Sequence, residues 1–243
     1  MVKKQLRLID KTIQRLEKLY KAEYIRVLDE VKGLVLELYA EIGPNALLSH
    51  LYQFKRYYKL VKAIQNKLTQ LGVKQEQIFT EEMEKFYKDN VKILDDQFDR
   101  PFSITDEEIK DIVKQHFIEE TLWSDSIWKD KALLLSKVKH ELVMSVAAGK
   151  TIDQMADSLK AETLTNNFYN AKRLVRTEVV NYYVHTTVEK YKEAGIKEVV
   201  YHACMDDRTC EECAGKNEKV YPINSKKLPP THPNCRCYIT PVI

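Results

Sequence analysis

All five cysteines of this 243-residue chain, Cys204, Cys210, Cys213, Cys235 and Cys237, lie in its last 40 residues. Cys210-x2-Cys213 closes one tight knuckle. After 18 residues His232-x2-Cys235 closes a second, with Cys237 two positions further on. Thiolates and an imidazole at this spacing supply a tetrahedral shell for a zinc ion, and the intervening length lies in the range of zinc ribbons. Cys210, Cys213 and Cys235 are the expected ligands, with either His232 or Cys237 as the fourth. Cys204 precedes the first knuckle and reads as a small buried hydrophobe. Reduced thiols without a metal and disulfides are the competing readings. The charged start MVKKQLRLIDKTIQRLEK lacks the apolar core of a signal peptide, so a reducing cytoplasm is expected, where clustered cysteines favour metal over disulfides.

A filled shell leaves no open position for water or substrate, which argues against a catalytic metal. Asp206, Asp207, Glu211 and Glu212 flank the knuckle and read as solvated carboxylates. No nucleophile triad, phosphate loop or dinucleotide fingerprint occurs in the sequence, and only 6 glycines are present. The chain therefore reads as a non-enzyme, with no catalytic residue assigned. A net charge of +3 from 39 Lys+Arg against 36 Asp+Glu does not by itself argue for nucleic-acid binding.

The elements that must position these ligands are mostly helical. Leu6, Ile9, Ile13, Leu16 and Tyr20 open an amphipathic stripe that predicts a long helix to about Ile42, ended by Gly43-Pro44. Leu47 to Leu71 repeats the period and is expected to stop at Gly72, making a helical hairpin. A third helix is expected from Thr80 to about Phe98. Tyr20, Tyr24, Tyr39, Tyr52, Tyr57 and Tyr58 on the hairpin read as core-edge side chains. Thr105-Asp-Glu-Glu matches a capping box for a helix to about Glu120. After the segment of Trp123 and Trp128, helices are expected from about Lys129 to Ala148, closed by Gly149, then from Thr151 to near Glu162, then from about Leu164 to Ala194, capped by Gly195. Lys197 to Ala203 alternates as a strand does. Pro229, Pro230 and Pro233 stiffen the approach to the second knuckle. The fold class is thus mainly α, with long N-terminal helices followed by a small α+β C-terminal domain stabilised by zinc.

Several of these features, taken in order, resemble the phage head morphogenesis family, the Mu protein F-like minor head proteins. They are Arg173-Leu-Val-Arg-Thr-Glu178 on the long helix, the strand ending at Ala203, Asp207-Arg-Thr-Cys-Glu-Glu-Cys213, Gly215 with Val220-Tyr221, and Pro229-Pro-Thr-His-Pro-Asn-Cys-Arg-Cys237. Trp123 to Asp130 and Gly149-Lys-Thr-Ile-Asp-Gln-Met-Ala look like that family's approach to its domain. The resemblance spans about 120 to 243. It implies a long-helix region over 1–119 that binds portal or capsid partners, followed by the head morphogenesis domain over 120–243.

The same resemblance implies a minor capsid protein of a tailed phage, inside the procapsid and virion head and in the host cytoplasm during assembly. It would associate with the portal, with scaffold or major capsid protein as further partners, contact packaged DNA, and act in assembly, packaging or ejection. Six residues follow Cys237, so no appended toxin or ADP-ribosyltransferase domain is expected. Arg176 and Glu178 stand two apart on a helix and cannot pair with each other; one of them is expected to hold the Cys module. The alternative reading is a zinc-ribbon nucleic-acid-binding protein using Lys216, Lys219, Lys226, Lys227 and Arg236 on phosphate.

Overall fold

A computed structural model describes residues 2–42, 50, 52–99, 101, 102, 104–114, 123–150, 154, 157, 158 and 168–242. The described residues form helices α1 (Val2–Ile42), α2 (Arg56–Phe98), α3 (Asp106–Lys114), α4 (Trp123–Ala147) and α5 (Phe168–Glu193). Strand β1 (Glu198–His202), the short helix α6 (Glu211–Lys216), β2 (Val220–Pro222) and β3 (Tyr238–Pro241) follow. The protein is mainly helical, with one small sheet near the C-terminus. The chain divides into two compact units. One comprises residues 1–17, 79–123 and 172–243, the other 18–78 and 124–171. Each draws on both sides of the boundary near 120 read from the sequence.

In the second unit, residues 18–42 of α1 run antiparallel to residues 56–78 of α2. Tyr20 Oη donates to the Gln75 carbonyl at 3.1 Å, and ion pairs join Glu30 to Lys67 at 3.0 Å and Glu41 to Arg56 at 3.4 Å. The buried side chains keep helical spacing: Tyr24, Val27, Val31 and Val35 on α1, Ile64, Leu68 and Leu71 on α2, and Ile127, Leu134, Val138 and Leu142 on α4. These three faces make one apolar core. Lys131 is buried within it, where its ammonium donates to Tyr24 Oη at 2.6 Å and lies 4.5 Å from that ring's centroid. Tyr20 and Tyr24 are fully buried, Tyr57 is half-buried, and Tyr52 and Tyr58 are exposed, so the hairpin tyrosines do not share one environment. The side chain of Tyr39 lies outside the described residues.

Gly72 does not end a helix. The expected second and third helices are one, α2, and Gly72 lies inside it. A Cβ built there would stand 2.7 Å from Trp128 Cζ3, so this glycine admits the indole ring against the helix backbone. Trp128 Nε1 donates to Glu76 Oε1 at 2.8 Å, one turn further along α2.

In the first unit, residues 2–17 of α1 run antiparallel to residues 79–98 of α2, with Gln5 Nε2 donating to Asn90 Oδ1 at 3.2 Å in the interior. The capping box forms as expected: the Thr105 amide donates to Glu108 Oε2 at 2.7 Å, and the Glu108 amide donates to Thr105 Oγ1 at 3.2 Å. The described part of α3 ends at Lys114, and its expected extension to Glu120 lies outside the described residues, as does most of the short helix expected from Thr151. Helix α4 begins at Trp123, earlier than the expected Lys129. Its C-terminus closes on Gly149 at φ +64° with the Lys150 amide on the Ser145 carbonyl, and α5 closes on Gly195 at φ +82° with the Ile196 amide on the Tyr191 carbonyl. Both are Schellman closures, in which glycine takes the left-handed position.

Helix α5 is the unit's central element. Every residue from Thr177 to Val184 is buried, so the helix has no solvent face over that stretch. It is covered in part by α3 through Val113, whose carbonyl accepts from Trp123 Nε1 at 3.0 Å and from Tyr182 Oη. The sheet has strand order β2-β1-β3, antiparallel throughout, with Val199 opposite Tyr221 and Pro241 and Tyr201 opposite Ile239. Val199 and Tyr201 are fully buried and Glu198 is exposed, which is the expected alternation.

Candidate metal centre

The sheet and α6 bring the sequence-predicted ligands together. Thr209 Oγ1 bonds the Cys204 carbonyl and accepts from the Asp206 amide, closing the turn after β1. That turn delivers Cys210 in extended conformation as the N-cap of α6, where its sulfur accepts from the Cys213 amide at 3.4 Å. This short helix was missed in the sequence reading. Its signal is a cap position followed by Glu211-Glu212 in the first turn, disguised because cysteine is not among the usual capping residues.

The second knuckle arrives from the opposite side. His232 Nε2 lies 3.3 Å from Cys210 Sγ and 3.1 Å from Cys213 Sγ, and Cys235 Sγ lies 3.9 Å from Cys213 Sγ. Two groups of potential ligands result, Cys210 with Cys213 and His232, and Cys213 with Cys235 and Cys237, and in each group the ligand atoms lie within 4.8 Å of one another. Cys213 belongs to both. Buried Tyr201 donates to Cys213 Sγ at 3.4 Å, and Tyr201, Ala203, Cys213, Cys235 and Cys237 form one buried cluster. All five residues expected to bind metal are therefore neighbours. Cys204 is outside both groups: it is half-buried rather than buried, and its thiol donates to the Arg236 carbonyl at 3.2 Å.

The electrostatics suit a cation. The hydrogen bond from Cys237 holds the Cys235 thiol down to about 5, and the same contact together with burial raises Cys237. Burial pulls His232 down, but its bond to the Pro233 carbonyl and the nearby Cys235 and Cys210 sulfurs outweigh this and raise it. Soft sulfurs and an imidazole gathered in this way are a donor set that could hold a metal ion.

The flanking charges have separate roles. Asp206 is not merely solvated: the Arg236 guanidinium grips both its carboxylate oxygens, the Arg208 amide donates to Oδ1 at 3.0 Å, and its pKa is depressed chiefly by Arg236. This fork ties the turn before the first knuckle to the second. Lys216 pairs with Glu212 at 2.6 Å. Two of the five side chains assigned to phosphate by the nucleic-acid reading, Arg236 and Lys216, are thus engaged within the protein.

Docking of the module onto α5 differs from expectation. Arg176 Nε pairs with Glu17 Oε1 at 3.3 Å, beside Lys172 on the other carboxylate oxygen, so it binds α1 and not the cysteine module. Glu178 is buried, and burial raises its carboxyl to about 7. The residue between them makes the contact. Thr177 Oγ1 accepts from the Asn234 amide at 2.8 Å while donating to the Arg173 carbonyl at 2.7 Å. Asn234 is held at φ +66° between His232 and Cys235. Tyr183 Oη adds a second tie, donating to the Ile239 carbonyl at 3.2 Å.

No curated protein and no solved structure matches the chain. Residues 136–240 match a family model described as phage Mu protein F like protein. That span begins within α4, ends within β3, and contains α5, β1, α6, β2 and every residue of the cysteine and histidine cluster. The carboxy-terminal part of the chain, with its candidate metal centre, is thus similar to the phage Mu F-like proteins of head morphogenesis.

Proposed function

We propose that the protein is a minor structural component of a tailed-phage head. In this reading it binds the portal within the procapsid and serves assembly, packaging or ejection of DNA, with scaffold and major capsid protein as secondary partners, and it resides in the virion. The observation that carries the reading is the family match over 136–240, which covers the docking helix, the sheet and the ligand cluster as one ordered set. No helix among the described residues is long and apolar enough to cross a membrane. The protein performs no catalysis in this reading, and its cluster holds a structural zinc ion that pins the two knuckles together. A bound ion of that kind contributes directly to folding free energy.

The portal-binding surface is assigned to the second unit, where Ile25, Leu36, Tyr52, Tyr58 and Val73 are exposed on α1, α2 and the turn before α2. Scattered exposed apolar residues are ordinary, so the assignment rests on its test. Leu36→Asp and Tyr58→Asp are each introduced into the full chain, which is then co-purified with the portal of the same phage at high salt. Retention of the wild-type chain with loss of both variants, at unchanged Tm, supports the reading. Failure of the wild-type chain to bind portal, in solution and by cross-linking within assembled heads, overturns it.

A further inference from the structure

Resting on the zinc reading above, we infer that the ion is held by Cys210, Cys213, Cys235 and His232, and that Cys237 stays outside the shell as a hydrogen-bonding neighbour. Five ligands at four places is the question the spacing leaves open, and three observations decide it.

The first is the tautomer of His232. Its Nδ1 lies 2.9 Å from the Pro233 carbonyl, an acceptor only, so the ring proton sits on Nδ1. The lone pair of Nε2 then points between Cys210 Sγ at 3.3 Å and Cys213 Sγ at 3.1 Å. An imidazole whose far nitrogen is fixed by a carbonyl is the usual form of a zinc-ligating histidine. The second observation is size. Zinc bonds of about 2.3 Å to sulfur and 2.0–2.1 Å to nitrogen give tetrahedral edges of about 3.8 Å between sulfurs and about 3.5 Å from sulfur to nitrogen. The Cys213 to Cys235 separation is 3.9 Å, and the two sulfur to nitrogen separations are 3.1 and 3.3 Å. Three edges along the path Cys210–His232–Cys213–Cys235 are therefore close to those of one tetrahedron, and Cys235, which is not within 4.8 Å of both Cys210 and His232, has to draw in to complete the shell.

The third is what each excluded residue would face. A shell of four cysteines would leave His232 Nε2 at 3.1 and 3.3 Å from two bound sulfurs, a contact that is favourable only if the ring takes up a second proton. A shell without Cys237 leaves that thiol within 4.8 Å of the Cys213 and Cys235 sulfurs, inside the buried cluster with Tyr201. Its position then matches that of an outer hydrogen-bond partner that orients a ligand and tunes its basicity.

The test measures zinc affinity of the full chain by competition with a chelating indicator, alongside absorption spectra after cobalt substitution. Variants are His232→Ala, His232→Cys and Cys237→Ser. Removing an outer partner is expected to cost about 10–100-fold in affinity, and removing a ligand at least about tenfold more than that. The cobalt spectrum should persist in Cys237→Ser and change in His232→Ala. His232→Cys, which restores a ligand at the same place, should recover stoichiometric metal and so separates ligand loss from misfolding. The ligand set stands if His232→Ala loses at least about ten times more affinity than Cys237→Ser and His232→Cys recovers binding. A smaller gap, or no recovery, overturns it while leaving the zinc reading intact. Absence of zinc from the wild-type chain removes both.

Discussion

Thr177 shows how one hydroxyl can dock a module. It sits where the long helix faces the second knuckle, donating to Arg173 one turn back and accepting from the Asn234 amide. Valine has the same shape and cannot accept, so Thr177→Val leaves a part-buried amide without its partner. The expected cost is about 1–3 kcal/mol, read as a lower urea midpoint at unchanged slope, with Thr177→Ser losing much less. An unchanged midpoint for Thr177→Val would show that water replaces the hydroxyl and that the docking rests elsewhere. Glu178 makes a different prediction. Its carboxyl is raised by burial to about 7 in the folded chain against about 4.3 in a model peptide. The folded state therefore holds the extra proton between those values, and stability contributed at this site falls as pH rises through that window. Glu178→Gln, which keeps the neutral shape, should match the wild type near pH 4 and exceed it by about 1–3 kcal/mol at pH 8. A difference independent of pH would contradict the assignment. The sequence singled out Arg176 and Glu178 because their charges are conspicuous. Threonine between them carries no such signal, because its role depends on an amide 57 positions away.

At the scale of elements, what was legible was local. The capping box at Thr105, the glycine closures after α4 and α5, and the alternation of β1 are each set by a few adjacent residues. Gly72 was misread because glycine in a sequence signals either a terminus or a close approach, and only the position of Trp128 tells them apart. Gly33 provides the control. It also lies inside a long helix, α1, with nothing within 4 Å of a built Cβ. Gly33→Ala should therefore stabilise the protein by about 0.5–1 kcal/mol, because alanine gives up less backbone entropy in a helix. Gly72→Ala should destabilise it despite the same gain in propensity, since its methyl group would meet the indole at 2.7 Å. Thermal melts of the two variants should shift in opposite directions. Shifts of the same sign would show that the indole moves aside at little cost.

At the scale of the whole molecule, periodicity shows that helices are long but not which stretches share a core. The resemblance begins near 120, and a cut there looks natural in the sequence. The unit that contains the metal centre nevertheless includes residues 1–17 and 79–123. Leu16, Phe79, Met83, Phe86, Tyr87 and Leu94, all 1% exposed or less, belong to that unit and lie outside a 120–243 fragment. So does Val113, whose carbonyl accepts from Trp123 and Tyr182. Each large apolar side chain contributes about 1.5–3 kcal/mol on full burial. The six together rival the 5–15 kcal/mol by which a whole domain is typically stable. A fragment of residues 120–243 should therefore lack a cooperative melt even with zinc supplied: the knuckles and sheet can close around the ion, but α5 would expose a stretch that is buried on every side in the full chain. Adding residues 1–119 as a separate chain should restore the transition by recovering those contacts. If the fragment alone melts cooperatively near the temperature of the full chain, then α5 is covered well enough by its own C-terminal module, and the N-terminal helices are an attachment to that domain instead of part of its core.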